Sequence, residues 1–326
     1  NAGNSIASGG NYNVVVGDEA GTALTTGDDN VAVGFEALST EDTGTRSVAV
    51  GYRALKTQNA DVQNYNTAIG YDAGLLITTG VENILIGGKA GDALTDADYN
   101  VAVGRASLTT DTLGSKSTAV GFGTLASQNF TTATDTYNIA IGYNAGTAVT
   151  TGINNTFVGG LAGDSVTTGS YNTLLGSIAG DALTTANSNV AVGYSALSTD
   201  TLGAKNVAVG VSALLTQNFT TATDSYNTGV GHNAGKLITT GIRNTLIGGK
   251  TGDEVTTGEG NVAVGYESLG ETTIGDDNVA IGNFALHTNV DGSRNVAVGR
   301  SALLLMEPST ESSTYNTAVG YAAGTA

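Results

Sequence analysis

A glycine recurs along this chain at an almost constant interval, each time closing a short apolar stretch that opens with asparagine, as in residues 30–34 (NVAVG). Thirteen of the seventeen intervals between successive copies are 17 residues, one is 19 and three are 21. A repeat of this length and number is typical of a solenoid, in which each copy forms one coil stacked on the next. The recurring glycines are Gly17, Gly34, Gly51, Gly70, Gly87, Gly104, Gly121, Gly142, Gly159, Gly176, Gly193, Gly210, Gly231, Gly248, Gly265, Gly282, Gly299 and Gly320.

The positions of one coil are numbered here from its opening asparagine, which is position zero. This residue is Asn in sixteen coils and Ser in two, Ser47 and Ser117. Position one is Val, Ile or Thr and position three is Val, Ile or Leu in all eighteen coils. Such alternation indicates a half-buried strand, so we expect positions one and three to face the interior. Glycine at position four ends the strand at a bend.

The coils are of two kinds, nine of each. Leu-type coils carry Leu at position eight, as at Leu38 and Leu108, and Gly-type coils carry Gly there and an aliphatic residue at position eleven, as at Ile77 and Leu94. Close packing favours such an exchange if both residues fill the same interior of stacked coils. We therefore predict an all-β fold, with residues 1–326 forming one parallel β-solenoid (β-roll) rod of about 18 coils, in which asparagine ladders at roughly 4.8 Å give a length of roughly 80–85 Å.

Four coils are longer than the others, and their extra residues lie just before the next asparagine. These insertions are Gln58–Tyr65, Gln128–Tyr137, Gln217–Tyr226 and Met306–Tyr315. Insertions in solenoids map to turns on one face, so we expect loops that protrude along one edge. The candidate surface-binding residues in these loops are Phe130, Thr134, Asp135, Tyr137, Phe219, Thr223, Asp224 and Tyr226.

Position two is apolar as well, although the alternation directs it away from positions one and three. A strand that is apolar on both faces is usually covered on both faces. A stripe of this length would also exceed the apolar surface area that a monomer usually exposes. We therefore predict a parallel homo-oligomer that buries this stripe, and the alternative is a monomeric solenoid with an alanine-lined outer face. The predicted oligomer stripe contains Ala32, Ala49, Ala68, Leu85, Phe157, Leu174, Leu246 and Ala280.

Charge and composition exclude several classes of protein. The net charge is -17, which opposes binding to nucleic-acid phosphates. There is no cysteine and the two histidines, His232 and His287, occupy different coil positions, so we expect no catalytic residues, no metal ligands and no cofactor. No apolar window is long enough to span a membrane. The acidic turns at residues 28–29 and 276–277 could bind a cation, and a solvated turn is the alternative.

Threonine pairs follow the position-eleven aliphatic in seven of the nine Gly-type coils, for example Thr25-Thr26 and Thr167-Thr168. Threonines aligned on one flat face could bind ice. Neighbouring threonines in a strand point to opposite faces, so only one of each pair could join such an array. The alternative is a structural threonine ladder.

The coil sequence of residues 66–73 (NTAIGYDA), followed by Thr78-Thr79-Gly80, resembles the repetitive shafts of phage and phage-like tail fibres and the related heads of trimeric autotransporter adhesins. The resemblance implies a left-handed coil and a homotrimer. The chain lacks the adhesin neck and membrane barrel and the chaperone or peptidase tip of many tail fibres. Because residues 1–3 match mid-coil residues 144–146 and the last coil breaks off, we expect a segment of a longer fibre.

The resemblance leaves three functions open. The first is a non-enzymatic structural shaft of an extracellular, cell-surface or virion fibre, whose partners are further copies of itself and which presents surfaces for attachment to cells. The second is an adhesin head that binds host matrix, cell-surface glycan or protein directly through its loops. The third is an ice-binding solenoid. None of the three involves insertion of this segment into a membrane.

Overall fold

The computed structural model describes residues 1–306 and 312–325, and these are all strands, turns and bends with no helix. The chain folds as two compact units, Asn1–Thr168 and Gly169–Ala326. Each unit contains nine coils, and each coil contributes one three-residue strand that begins directly after its opening asparagine or serine. The sequence therefore predicted the class of fold correctly: a parallel β-solenoid.

In the first unit the strands are β1 (Val14–Val16), β2 (Val31–Val33), β3 (Val48–Val50), β4 (Thr67–Ile69), β5 (Ile84–Ile86), β6 (Val101–Val103), β7 (Gly114–Ser115), β8 (Thr118–Val120), β9 (Thr134–Asp135), β10 (Ile139–Ile141) and β11 (Thr156–Val158). In the second unit they are β12 (Thr173–Leu175), β13 (Val190–Val192), β14 (Gly203–Ala204), β15 (Val207–Val209), β16 (Thr223–Asp224), β17 (Thr228–Val230), β18 (Thr245–Ile247), β19 (Val262–Val264), β20 (Val279–Ile281), β21 (Gly292–Ser293), β22 (Val296–Val298), β23 (Ser312–Ser313) and β24 (Thr317–Val319).

Within each unit every three-residue strand pairs in parallel with the strand of the next coil, in register with the repeat. Val31 of β2 lies beside Val14 of β1 on one side and beside Val48 of β3 on the other. The register persists across a 21-residue coil, where Val207 pairs with Thr228. The extra residues of a long coil therefore leave the strand stack unchanged.

The side of the strand that faces the interior is opposite to the one we expected. Position two is buried in every coil but the first, where Val15 is half-buried, and Ala32, Leu85 and Phe157 are all 0% exposed. Positions one and three are half-buried or exposed. The predicted oligomer stripe is therefore wrong as a surface, because its residues form the core of their own chain. The members Ala32, Ala49, Ala68, Leu85, Phe157, Leu174, Leu246 and Ala280 are all 0% exposed.

The size of the position-two residue follows the type of coil. All nine Leu-type coils have Ala there, and the larger residues occur only in Gly-type coils. A Cβ added to Gly74 or Gly91, which occupy position eight, would lie 2.8 Å from a Leu85 methyl carbon. Leu85 thus fills the space that leucine occupies in the other coils. Positions two, eight and eleven together keep the volume of the interior constant, as close packing requires.

The glycine at position four is required by the backbone. Gly34 has φ 134°, a conformation that side chains disfavour. A Cβ there would also lie 2.3 Å from the carbonyl oxygen of Gly51 in the next coil. The recurring glycine therefore allows both the bend after the strand and the close approach of successive coils.

The predicted asparagine ladder is present and connects each coil both to itself and to its neighbour. The Asn30 side-chain amide donates to the Gly44 carbonyl at 2.9 Å, near the end of the same coil. Its side-chain oxygen accepts the backbone N–H of Ser47, also at 2.9 Å, at the start of the next coil. Asn83 shows the same pattern with Ala97 and Asn100. Each asparagine thus satisfies buried backbone groups where the chain leaves one coil and enters the next.

Candidate functional surfaces

The insertions fold back on the coil that precedes them. In the second insertion β9 pairs with β7, and in the third β16 pairs with β14. The first is held by a single bridge between Thr45 and Gln63. Half of the fourth, residues 307–311, lies outside the described residues. Two-residue strands therefore fix the second and third insertions to the coil that precedes each of them.

The candidate loop residues divide into buried and exposed groups. Phe130 and Phe219 are only 7% and 6% exposed, so these rings offer no binding surface, and this part of the prediction is wrong. In both residues the backbone N–H donates to a buried carboxylate of the preceding coil, which holds the start of the insertion against that coil. By contrast Tyr137 and Tyr226 are both 52% exposed. Asp135 and Asp224 are exposed, and Thr134 and Thr223 half-buried.

A cation from the preceding coil lies against the exposed tyrosine of each of these insertions. Lys116 Nζ is 2.5 Å from Asp135 Oδ2 and 5.4 Å from the centre of the Tyr137 ring. The hydrogen bond to Asp135 and a second to Tyr137 raise the pKa of Lys116 above its ordinary value. Lys205 is placed in the same way at the third insertion, 5.1 Å above Tyr226. The same geometry recurs with Arg46 and Tyr65 and with Arg294 and Tyr315.

Two open clefts lie beside insertions, one in each unit. The cleft in the first unit has a volume of about 310 Å³ and is lined by Asp28, Asp29, Thr43, Thr45, Arg46, Asp61, Val62 and Gln63. The cleft in the second unit has a volume of about 390 Å³ and is lined by Thr185, Ala186, Asn187, Leu202, Ala204, Ala222, Thr223 and Asp224. Two of the predicted surface-binding residues, Thr223 and Asp224, thus line a cleft.

Sequence reasoning missed a buried carboxylate at the base of each of the first three insertions. In the Leu-type coils position eleven is polar, yet Glu41, Asp111 and Asp200 are 0% exposed. Asp111 accepts hydrogen bonds from the backbone N–H of Gly114 at 3.1 Å and of Phe130 at 3.0 Å. A buried glutamine of the next coil donates to the same carboxylate. These carboxylates hold the turn of one coil and the first residues of the following insertion together.

The exposed apolar surface of each unit is the face formed by strand positions one and three. Of the 36 residues at these positions in the whole chain, 29 are Val, Ile or Leu and seven are Thr, and none is charged. Ile84 and Ile86 are 43% and 36% exposed, and Ile139 and Ile141 39% and 40%. The name strand face is used below for these positions.

The threonine pairs form a structural ladder. The hydroxyl of the first threonine donates to the backbone carbonyl at the same position of the next coil, as from Thr78 to Thr95 and from Thr239 to Thr256. The hydroxyls of the first threonines are therefore engaged in joining coils.

The acidic turns also make structural contacts. Asp28 accepts the backbone N–H of Asn11 at 2.6 Å, and Asp276 accepts that of Glu259 at 2.7 Å. Over residues 1–306 and 312–325 no three His, Asp or Glu side chains are grouped so that they could hold a metal ion. In the same residues no helix is long and apolar enough to cross a membrane.

Comparison of the chain with protein-family models, with curated proteins and with solved structures finds no match.

Proposed function

We propose that this chain is a non-enzymatic shaft segment of an extracellular or virion fibre, and that it self-associates as a parallel homotrimer through the strand face. The observation that carries the proposal is the strand face itself, which is apolar, uncharged and present on all nine coils of each unit. The trimeric state and the setting outside the cell come from the resemblance to tail-fibre shafts and trimeric adhesin heads.

The area of the strand face supports an interface of ordinary size. Nine coils at roughly 4.8 Å and a width of about 10 Å give roughly 400 Å² in each unit. Two copies that used this face in both units would bury roughly 1,600 Å² in total, which is the size of a standard stable interface. Because the coil repeat is the same in every copy, a parallel arrangement places aliphatic residues opposite aliphatic residues at each coil.

Sedimentation equilibrium of the whole chain at micromolar concentration tests the proposal. We expect a mass three times the 32.4 kDa of one chain. Replacing two strand-face residues, Val50→Glu together with Val103→Glu, should dissociate the trimer because a buried unpaired carboxylate costs several kcal/mol. The matched control is Thr151→Glu at an exposed position away from the strand face, which should leave the mass unchanged. A wild-type chain with the mass of one protomer would refute self-association.

A second candidate function, direct binding of host matrix or glycan through the insertions, is favoured by the two clefts beside them. Shortening the 19-residue coil and the three 21-residue coils to the ordinary 17 residues removes all four insertions and leaves the strand register intact, because the register is the same on either side of an insertion. Loss of cell or glycan binding in this variant, with the trimer mass retained, would support the adhesin function. Full binding without the insertions would exclude it.

A further inference from the structure

The side chains at position five, directly after the recurring glycine, form a stack of rings on the surface of the first unit. Phe35 and Tyr52 are stacked with their centroids 5.4 Å apart, and Tyr52 and Tyr71 with theirs 5.2 Å apart at an interplanar angle of 5°. Further along the same unit Phe122 and Tyr143 are stacked at 5.6 Å. All five rings are exposed. This row of position-five side chains is called the aromatic stack below.

The aromatic stack is interrupted at Gly88. The coil before it carries Tyr71 at position five and the coil after it carries Arg105. The backbone does not require glycine here, since the φ of Gly88 lies outside the left-handed region and an added Cβ would meet only the Tyr71 carbonyl oxygen, at 3.9 Å. The missing side chain therefore leaves an open slot between two planar groups.

The dimensions of the slot fit one flat ring. Tyr71 and Arg105 are two coils apart, which corresponds to roughly 9.6 Å. A ring placed midway would lie roughly 4.8 Å from each, within the 4.5–7 Å range of stacked rings. Tyr71 stacks on Tyr52 with one face, and the Arg105 guanidinium carbon lies 5.6 Å from the centre of the Phe122 ring. Each of the two groups thus has a partner on the side away from the slot, which holds it in place.

Two cationic side chains that form no ion pair lie beside the slot. Six cationic side chains lie in residues 1–168, all of which the structure describes, and Arg46, Arg53, Lys56 and Lys116 form ion pairs. The other two, Lys89 and Arg105, adjoin the slot and form no ion pair within 4.0 Å, and Lys89 lies near enough to Asp92 to favour the charged form of that carboxylate. Of the acidic residues nearby, Asp72 is held by two hydrogen bonds from Arg53, at 2.9 and 2.8 Å, and Asp92 accepts the hydroxyl of Thr109.

We propose that the slot at Gly88 binds an anionic pyranose, a uronic-acid residue of a glycan. The flat C–H face of the sugar stacks on Tyr71, and Lys89 and Arg105 donate charge-assisted hydrogen bonds to its carboxylate. A nucleotide polymer offers flat rings and negative charge too, but its row of phosphates is repelled by a chain of net charge -17. A single carboxylate beside the slot meets only the local pair of cations.

Calorimetric titration of the whole chain with tetragalacturonate tests this assignment, with maltotetraose as the neutral sugar and benzoate as the non-sugar anion. We expect binding of tetragalacturonate and at least tenfold weaker binding of the other two. Benzoate that binds as tightly would overturn the sugar assignment, and maltotetraose that binds as tightly would overturn the role of the cations. Absence of tetragalacturonate binding would overturn the site.

Two variants locate the binding at the slot. Gly88→Phe fills the slot with a ring and should abolish binding without lowering the unfolding midpoint. The matched control is Gly249→Phe in the second unit, because Gly249 is also a position-five glycine without left-handed φ, and the neighbouring Lys250 is engaged by Glu267 at 3.4 Å. Should Gly88→Phe fail to fold, Lys89→Gln serves instead and should weaken binding roughly tenfold or more.

Binding that survives both Gly88→Phe and Lys89→Gln would place the ligand elsewhere and refute the proposal. The proposed shaft function is measured separately by the mass of the assembly. Failure of one therefore leaves the other standing.

Discussion

Two adjacent residues of β5 provide a direct test of which side of the strand faces the interior. Leu85 is 0% exposed and Ile86 is 36% exposed. Leu85→Ala leaves a cavity beside Gly74 and Gly91, neither of which has a side chain that can move into it. Buried Leu→Ala changes cost about 2.7–5 kcal/mol, and a site that collapses poorly belongs in the upper half of that range. We therefore expect a loss of about 4 kcal/mol.

The matched change Ile86→Ala removes three carbons that are already about one-third exposed. At roughly 0.8 kcal/mol for each buried carbon, the expected loss is about 1.5 kcal/mol. The two variants should thus differ by roughly 2 kcal/mol or more, with Leu85→Ala the less stable.

Urea unfolding followed by circular dichroism measures the difference, at a protein concentration where sedimentation shows single chains so that the strand face is uncovered. Because a solenoid can unfold in parts, amide hydrogen exchange in the coil of residues 83–99 should be measured as well. A larger loss for Ile86→Ala than for Leu85→Ala would refute the assignment of position two to the interior.

Three further predictions concern single side chains. Asp111→Ala removes the acceptor of two buried backbone N–H groups, including that of Phe130, and should cost roughly 2–5 kcal/mol in the urea-unfolding free energy; a loss below about 1 kcal/mol would contradict the anchoring role of the carboxylate. Gly34→Ala forces a side chain against the carbonyl of Gly51 at a φ that disfavours it, so the melting temperature should fall by several degrees or the chain should not fold; an unchanged melting temperature would show that the coils can separate there. Burial raises the pKa of Asp164 above its ordinary 3.8, so the folded chain holds this proton more tightly than the unfolded chain, and the free energy of unfolding decreases as pH rises from 3.8 through the raised pKa. Asp164→Asn should therefore raise the urea-unfolding midpoint at pH 7 and no longer raise it below pH 3.8. A gain in midpoint that is the same at both pH values would contradict this reasoning.

The sequence was sufficient to predict the coil, the register of its strands and the asparagine and threonine ladders, because these follow from the 17-residue period. Residues that recur every 17 positions must stack on themselves, so Asn30 meets the backbone of Ser47 and Thr78 meets Thr95. The direction of the strand faces does not follow from period, since positions one to three are all apolar. The signal that decides it is the pairing of Ala at position two with Leu at position eight in all nine Leu-type coils. If a small residue at one position always accompanies a large residue at another, the two side chains fill the same interior space.

The sequence did not predict the buried carboxylates or the residues with left-handed backbone conformation, for a different reason. A lone acidic residue in a turn, such as Glu41, is ordinarily solvated, and its burial depends on donors that the tertiary fold supplies. The available signal was that Asp111 and Asp200 are each followed 17 residues later by the Gln that begins an insertion. Leu38 has φ 49°, a conformation for which residue preference would select Gly or Asn. Stacking between coils determines the backbone there against local preference.

The repeat separates positions that maintain the fold from positions that are free to differ. Positions zero, two, four and eight are fixed by hydrogen bonds, interior volume or close approach of coils, so their side chains are accounted for within the chain. Position five has no such constraint, and in the first unit it carries Phe, Tyr, Arg, Asp or Gly. At position four a side chain is excluded by the next coil, whereas at Gly88 there is room for one. Because the interior gives no reason for glycine at residue 88, the effect of that glycine is on the surface, where it opens the aromatic stack between Tyr71 and Arg105.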